Sequence, residues 1–281
     1  MRTQSKISDE LRQSALRWLA EEIPTSKAAG VAELSRRWAA GGMTVDTAAV
    51  LCAENPVPGR PVKPELVPPT SLKRRSMNTL AGRAVMIHAL AHIEFNAINL
   101  ALDAIWRFPG MPARFYADWL QVAAEEAYHY SLLAGHLQTF GHAYGDFPAH
   151  NGLWEIADRT RDDVLARIAL IPRTMEARGL DVSPGLRDKL AQAGDSDAAA
   201  ILEIILRDEI GHVRIGNHWY GWLCAQRKLN PLTTYAQLAL AYKAPALRGP
   251  FNLEARKAAG FTEEELEALT VNPSGTPASG S

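Results

Sequence analysis

The sequence predicts an all-α protein centred on a bundle of four long helices. Apolar residues make up 47 % of its 281 residues and recur at helical spacing over long stretches. The alternation of β-branched residues that would indicate strands is scarce. Two separate segments repeat one pattern of an acid, a glutamate and a histidine, and both fall within predicted helices. A chain of this length can bury a large core, although length alone allows one domain or two.

Residues 1–55 contain two predicted helices that dock against the bundle. In 8–22 and again in 27–40, apolar residues share one helical face. These residues are Leu11, Ala15, Trp18 and Leu19 in the first helix and Val31, Leu34 and Trp38 in the second. The two faces are suited to packing rather than to solvent.

Residues 56–75 are predicted to be an extended connector. Six prolines fall between Pro56 and Pro69, and proline excludes a regular helix interior. The connector ends in the basic cluster Lys73-Arg74-Arg75, which we interpret as a solvated helix start.

Residues 76–228 are predicted to form the four-helix bundle. Asp195 or Ser196 is a suitable N-cap for its last helix. Pro172 and the stretch from Gly179 to Gly185 interrupt its third helix. The four helices are expected at 76–107, 112–142, 152–178 and 196–227.

The region after the bundle is predicted to be less regular. Residues 229–270 are expected to hold short helices near 232–243 and 262–270. Residues 271–281 consist mostly of Pro, Gly, Ser, Thr and Ala, so we predict a disordered tail there.

Composition excludes several classes of protein. The net charge of −1 does not indicate nucleic acid, although it does not exclude tRNA. No run of eighteen apolar residues and no signal-like N-terminus occurs, which predicts a soluble, cytoplasmic protein without a membrane partner. Cys52 and Cys224 are the only cysteines, so neither a disulfide framework nor a thiolate metal site is expected.

The repeated pattern is Glu125-Glu126-x-x-His129 and Asp208-Glu209-x-x-His212. On a helix, a glutamate and a histidine three residues apart point the same way, and together they can hold a metal ion. Two such motifs predict a site for two metal ions, about 3.5–4 Å apart as in other two-metal sites.

A four-helix carboxylate site needs one further glutamate from each of the other two helices. Glu94 lies 32 residues before Glu126, and Glu176 lies 33 residues before Glu209. Turn sequences fall near the middle of both intervals, and residues face each other in a helical hairpin when they are equally distant from the turn. The predicted metal ligands are therefore Glu94, Glu126, His129, Glu176, Glu209 and His212.

Alternatives remain open at the third helix and beside the motifs. Asp162 and Asp163 lie nearer the middle of that predicted helix than Glu176 does, but they disturb the matched interval. Glu125 and Asp208 are four residues from their histidines, so each is also a candidate ligand. We expect instead that they accept the outer N–H of a ligating histidine and fix its orientation.

The order Glu, Glu-x-x-His, Glu, Glu-x-x-His resembles that of the ferritin-like di-iron carboxylate superfamily. More closely, the chain is similar over about residues 10–250 to a bacterial ferritin-like family of unknown function. The phrases that carry this resemblance are Ala91-His92-Ile93-Glu94, Phe115-Tyr116-Ala117-Asp118-Trp119, Tyr144-Gly145-Asp146-Phe147-Pro148-Ala149-His150, Pro172-Arg173-Thr174-Met175-Glu176-Ala177-Arg178-Gly179-Leu180-Asp181 and Arg207-Asp208-Glu209-Ile210-Gly211-His212.

The resemblance implies a ferritin-like four-helix bundle with extra N-terminal and C-terminal helices. Its cofactors would be two iron ions, with manganese or a mixed manganese–iron pair as the alternative. The implied activity is that of an oxidoreductase or hydroxylase that uses O₂ or peroxide, an external electron donor and an unidentified organic substrate. The rival expectation is a rubrerythrin-like peroxidase or an iron oxidation and storage protein. A homodimer is compatible with either.

Overall fold

The computed structural model describes residues 9–72 and 75–271. Within these ranges the protein is helical and contains no β-strand, which confirms the predicted all-α class. Residues 73 and 74 of the predicted basic cluster and residues 272–281 of the predicted disordered tail lie outside the described residues.

The chain divides into two compact units, Met1–Asn151 and Gly152–Ser281. The first unit contains α1 (Leu11–Leu19), α2 (Pro24–Ala39), α3 (Leu80–Arg107) and α4 (Ala113–Thr139), with a 3₁₀ turn at Pro69–Ser71. The second contains α5 (Gly152–Arg159), α6 (Val164–Leu170), a π-helix (Ile171–Glu176), α7 (Ala177–Gln192), α8 (Ser196–Gln226), α9 (Pro231–Ala241), α10 (Leu253–Ala258) and α11 (Glu263–Val271).

The first unit is built on the hairpin of α3 and α4. Thr79 caps α3, since its hydroxyl accepts a hydrogen bond from the Gly82 N–H at 3.1 Å. Residues 108–112 make the turn, in which Gly110 has a φ of +79° and donates its N–H to the Thr47 carbonyl. Helix α1 packs on α3, and α2 packs on α4.

A buried arginine fastens α1 to the end of α3. Arg12 is 0 % exposed. Its guanidinium donates to the carbonyl oxygens of Ile105 at 3.1 Å and Trp106 at 2.8 Å, at the C-terminal end of α3. A cation is favourable there because the last carbonyls of a helix carry partial negative charge.

A buried lysine fastens α2 in the same unit. Lys27 is 0 % exposed, and its ammonium donates to the carbonyls of Leu19 at 3.1 Å and Gly59 at 3.2 Å and to the Asn99 side chain. Burial lowers the pKa of Lys27 from 10.5 to about 7. Within the described part of the chain no acidic side chain is hydrogen-bonded to this ammonium, and desolvation is the main cause of its lowered pKa.

Replacing Lys27 with methionine is expected to flatten the pH dependence of stability. The unfolded chain binds more protons at Lys27 than the folded protein does between about pH 7 and 10.5, so wild-type stability rises with pH across that window. From pH 7 to pH 10 the wild type should gain up to about 4 kcal/mol relative to Lys27→Met. Urea unfolding of both proteins measures this difference, and parallel stability curves would contradict it.

The second unit is organised around α8. Helix α7, α6 and the π-helix all pack along it. A Cβ atom placed on Gly216 of α8 would lie 2.6 Å from the Pro172 side chain, so glycine permits the close approach of the π-helix. Asp195 caps α8, as predicted, by accepting from the Ala198 N–H at 3.1 Å.

The prediction of one helix over 152–178 is wrong, because the chain breaks after α5. Thr160 donates its hydroxyl to the Ile156 carbonyl at 2.8 Å, and the buried Arg167 donates to the Ala157 carbonyl at 2.6 Å. These side chains satisfy the last carbonyls of α5. Asp163 then caps α6 by accepting from the Leu165 N–H at 2.9 Å.

The predicted interruption from Gly179 to Gly185 is also wrong. Helix α7 runs through this stretch with Pro184 inside it. Leu180, which is 0 % exposed, packs in an apolar cluster with Val213 and Phe261. Burial of that face outweighs the low helix propensity of glycine and proline.

The C-terminal helices differ modestly from the predicted positions near 232–243 and 262–270. Helices α9 and α11 occupy these regions, whereas α10 was not predicted. Arg256 holds α10 in place because its guanidinium makes a bidentate ion pair with Asp181 of α7, at 2.9 and 2.7 Å.

Helix α3 is long and apolar enough to cross a membrane by length and composition alone. However, 72 % of its most apolar eighteen-residue window is buried within the structure. This burial is typical of the core helix of a soluble protein.

Candidate metal centre

The first unit brings together one glutamate of α3 with the Glu-x-x-His motif of α4. Glu94 is 4 % exposed, and Glu126 and His129 are 0 % exposed. One donor atom from each of the three lies within 4.8 Å of the others. His129 Nδ1 is 3.2 Å from Glu126 Oε2 and 3.8 Å from Glu94 Oε2. The hairpin therefore places Glu94 at the level of the motif, as the matched spacing predicts.

Burial and close negative charges shift the pKa values of this group. Burial and the neighbouring Glu126 carboxylate raise the pKa of Glu94 above the usual range. Burial alone would lower the pKa of His129, but its hydrogen bond to Glu126 and the negative charges of Glu126 and Glu94 outweigh that effect and raise it. Two buried carboxylates are unfavourable without a positive partner.

The donor set fits a divalent transition metal. Glu94 Oε2 is buried and accepts no hydrogen bond from the residues that the structure describes. Carboxylate and imidazole together suit Fe²⁺ and Mn²⁺. His129 Nδ1 faces both carboxylates, so it is a nitrogen that could bind the ion.

The second unit repeats the local arrangement on α8. Glu209 is 8 % exposed and His212 is 0 % exposed, and His212 Nδ1 lies 3.8 Å from Glu209 Oε2. Glu176 is half-buried and is the last residue of the π-helix. Single π-helical turns occur frequently at functional sites, because they redirect the side chains that follow.

The alternative third-helix residues have other roles. The Asp162 side chain is exposed, and its Oδ2 lies 3.6 Å from Arg161 Nε. Asp163 is the N-cap of α6 and also lies 3.4 Å from Arg227. Asp162 is therefore at the surface of the second unit, whereas Asp163 is half-buried like Glu176 but serves as a helix cap.

The two acids that precede the motif glutamates contact residues of their own helices. Glu125 is half-buried and accepts from Gln121 Nε2 at 3.1 Å. Asp208 is half-buried and accepts from Arg207 at 2.8 and 3.1 Å. Whether either acid also orients a ligating histidine remains a prediction.

Sequence reasoning did not find the aromatic and histidine cluster of the first unit. His92 Nδ1 lies 2.9 Å from the Tyr144 hydroxyl, and the Gly145 N–H donates to His88 Nε2 at 2.9 Å. Burial lowers the pKa of both histidines to about 4. The rings of Tyr144 and Tyr130 lie 5.4 Å apart. The spacing of His88 and His92 by one helical turn was the available signal.

Comparison with known proteins places the chain in a family without assigning it a function. A family model described as "Protein of unknown function (DUF455)" matches residues 20–267. An uncharacterised protein of Haemophilus influenzae is 51 % identical over 214 residues, which cover 74 % of each chain. No solved structure matches this chain. The protein thus belongs to the DUF455 family of proteins of unknown function.

Proposed function

We propose that this protein is a ferritin-like di-iron carboxylate oxidoreductase that uses O₂ to oxidise an organic substrate. The observation that carries the proposal is the buried group of Glu94, Glu126 and His129, whose two carboxylates and imidazole converge. Glu209 and His212 repeat its local geometry on α8, and Glu176 completes the set by spacing. In this proposal the six residues hold two metal ions, with one histidine for each ion.

Charge supports two ions better than one. The six proposed ligands carry four carboxylates, whose charge two divalent cations would balance. A neutral group is the form that a buried site tolerates at least cost. Bound iron would supply the electrons for reduction of O₂; the carboxylates balance its charge, and the imidazoles fix its position.

The helices outside the proposed bundle favour oxidation of an organic substrate over iron storage. Iron-storage shells are usually single compact bundles, whereas this chain adds α1 and α2 before the proposed bundle and α9 to α11 after it. Such additions are suited to gating a pocket or binding a partner. The alternatives, a rubrerythrin-like peroxidase and an iron oxidation or storage protein, share the ligands but need no such additions.

Oxygen uptake separates the oxygenase from the storage protein. Fe²⁺ that just fills the sites should cause rapid uptake of O₂, and further Fe²⁺ should cause little more, because an oxygenase needs its substrate and electron donor to turn over. An oxygen electrode combined with stopped-flow absorbance measures both phases. Uptake that continues until a large excess of Fe²⁺ is oxidised, with a ferric core, would establish storage instead.

A further inference from the structure

A cavity of about 510 Å³ lies within the second unit, lined by α9, the segment that follows it and α11. Its volume falls in the range of small-molecule sites, roughly 300–1,000 Å³. Most of its walls are apolar, and they include Leu232, Ala236, Ala239, Leu240, Leu247 and Leu269. Leu240 is 72 % exposed, so part of this apolar wall is open to solvent. The walls are suited to an aliphatic or aromatic group.

The charged residues that line the cavity are mainly cationic. They are Arg173, Lys243 and Arg256, against the single acid Glu265. Arg173 is already matched, because its guanidinium donates to Glu265 and to Asn217 Oδ1 at 2.7 Å. The guanidinium also faces aromatic rings, and its central carbon, Cζ, lies 4.9 Å from the centre of the Phe261 ring.

Arg256 retains an unused donor. It is 0 % exposed, and two of its nitrogens bind the Asp181 carboxylate. Its third nitrogen, Nη1, makes no hydrogen bond to any residue that the structure describes. A buried guanidinium nitrogen without an acceptor is costly, and it adds positive charge close to the cavity wall.

Lys243 supplies a second unmatched donor. It directly follows α9 and its cap residue, has a φ of +52°, and is exposed where it lines the cavity. Its ammonium forms no ion pair within residues 9–72 and 75–271. The cavity thus combines apolar walls with one exposed cation and one buried guanidinium donor.

We propose that this cavity binds a medium-chain aliphatic carboxylate, with the alkyl chain against α9 and α11 and the carboxylate at Lys243. A charge-assisted hydrogen bond to a carboxylate is among the strongest that an ammonium can make. A cationic ligand would add positive charge beside three cations, and a neutral ligand would leave Lys243 without a partner. The proposal does not depend on the metal centre.

Calorimetric titration of the full-length protein with decanoate, decanol and decyltrimethylammonium, each below its aggregation concentration, tests the chemistry. Decanoate should bind at least about tenfold more tightly than decanol, a difference of about 1.4 kcal/mol. Decyltrimethylammonium should show no binding. Equal affinities for decanoate and decanol, or no binding of decanoate, would overturn the proposal.

Substitutions on α9 test the position. Ala239→Trp fills the cavity and should reduce decanoate affinity by at least about tenfold. Gln237→Trp adds the same ring to an exposed residue outside the lining and should leave affinity unchanged. Lys243→Gln should weaken decanoate but not decanol. Helix content by circular dichroism verifies that each variant folds.

The rival occupant of the cavity is a second copy of the chain. Sedimentation velocity of the wild type and of Ala239→Trp distinguishes the two. If Ala239→Trp dissociates a dimer while decanoate binding is the same in every variant, the cavity is a subunit contact. In that case the proposed ligand site is wrong.

Discussion

Glu209→Ala is expected to remove metal binding, whereas Asp208→Asn weakens it by roughly 10–100-fold at most. Glu209 is buried with its carboxylate near His212 Nδ1, so alanine deletes a proposed ligand. Asp208 faces Arg207 and would act only through the orientation of a histidine. Anaerobic calorimetric titration with Fe²⁺, and separately with Mn²⁺, measures both affinities.

Glu203→Ala is the matched control for this comparison. Glu203 lies on the same helix α8, is exposed, and pairs with Arg187 at 3.5 Å. Its loss should leave metal affinity unchanged. Comparable losses from Glu209→Ala and Asp208→Asn would make Asp208 a ligand. An undiminished affinity in Glu209→Ala would remove Glu209 from the site.

Metal loading is expected to stabilise the wild-type protein strongly. A ligand that binds only the folded state at about 1,000 times its Kd adds about 4 kcal/mol to the free energy of unfolding. Thermal and urea unfolding with Mn²⁺, and then with excess chelator, measures this gain. If loading and chelation leave the unfolding midpoint unchanged, no metal is bound by the folded state.

Glu94→Gln separates two effects of the site on stability. One is the gain from bound metal, and the other is the cost of burying the carboxylates without metal. In the chelated protein, burial and the Glu126 carboxylate already disfavour a charge on Glu94, and glutamine stays neutral at every pH while Glu126 and His129 stay paired. The chelated variant should therefore be as stable as the wild type or more stable, and it should gain little from metal. Glu33→Gln, at an exposed residue of α2, should respond to metal as the wild type does.

The local geometry of the first motif could be predicted from sequence because helical spacing alone determines it. Glu126 and His129 must share a face of α4, and the turn at 108–112 brings Glu94 to the same level. The bounds of α8 were predictable for a similar reason, since Asp195 is a recognisable cap. At these positions the helical spacing of the sequence and the capping residue indicate the helices that the structure contains.

The third helix could not be predicted because tertiary contacts decide its course. Arg167 folds back onto the carbonyls of α5 and ends that helix, an interaction that propensity does not reveal. Conversely, burial of Leu180 keeps α7 helical through Pro184. The buried cations Lys27 and Arg256 were missed for the same reason. A lysine or an arginine in a sequence normally indicates a solvated position.

The most direct test of the account is anomalous X-ray scattering from crystals of the metal-loaded protein, with data at the iron and manganese edges. We predict two metal ions, bound by Glu94, Glu126, His129, Glu176, Glu209 and His212, with one histidine on each ion. Metal bound elsewhere, or no bound transition metal after anaerobic Fe²⁺ loading, would contradict the proposed centre.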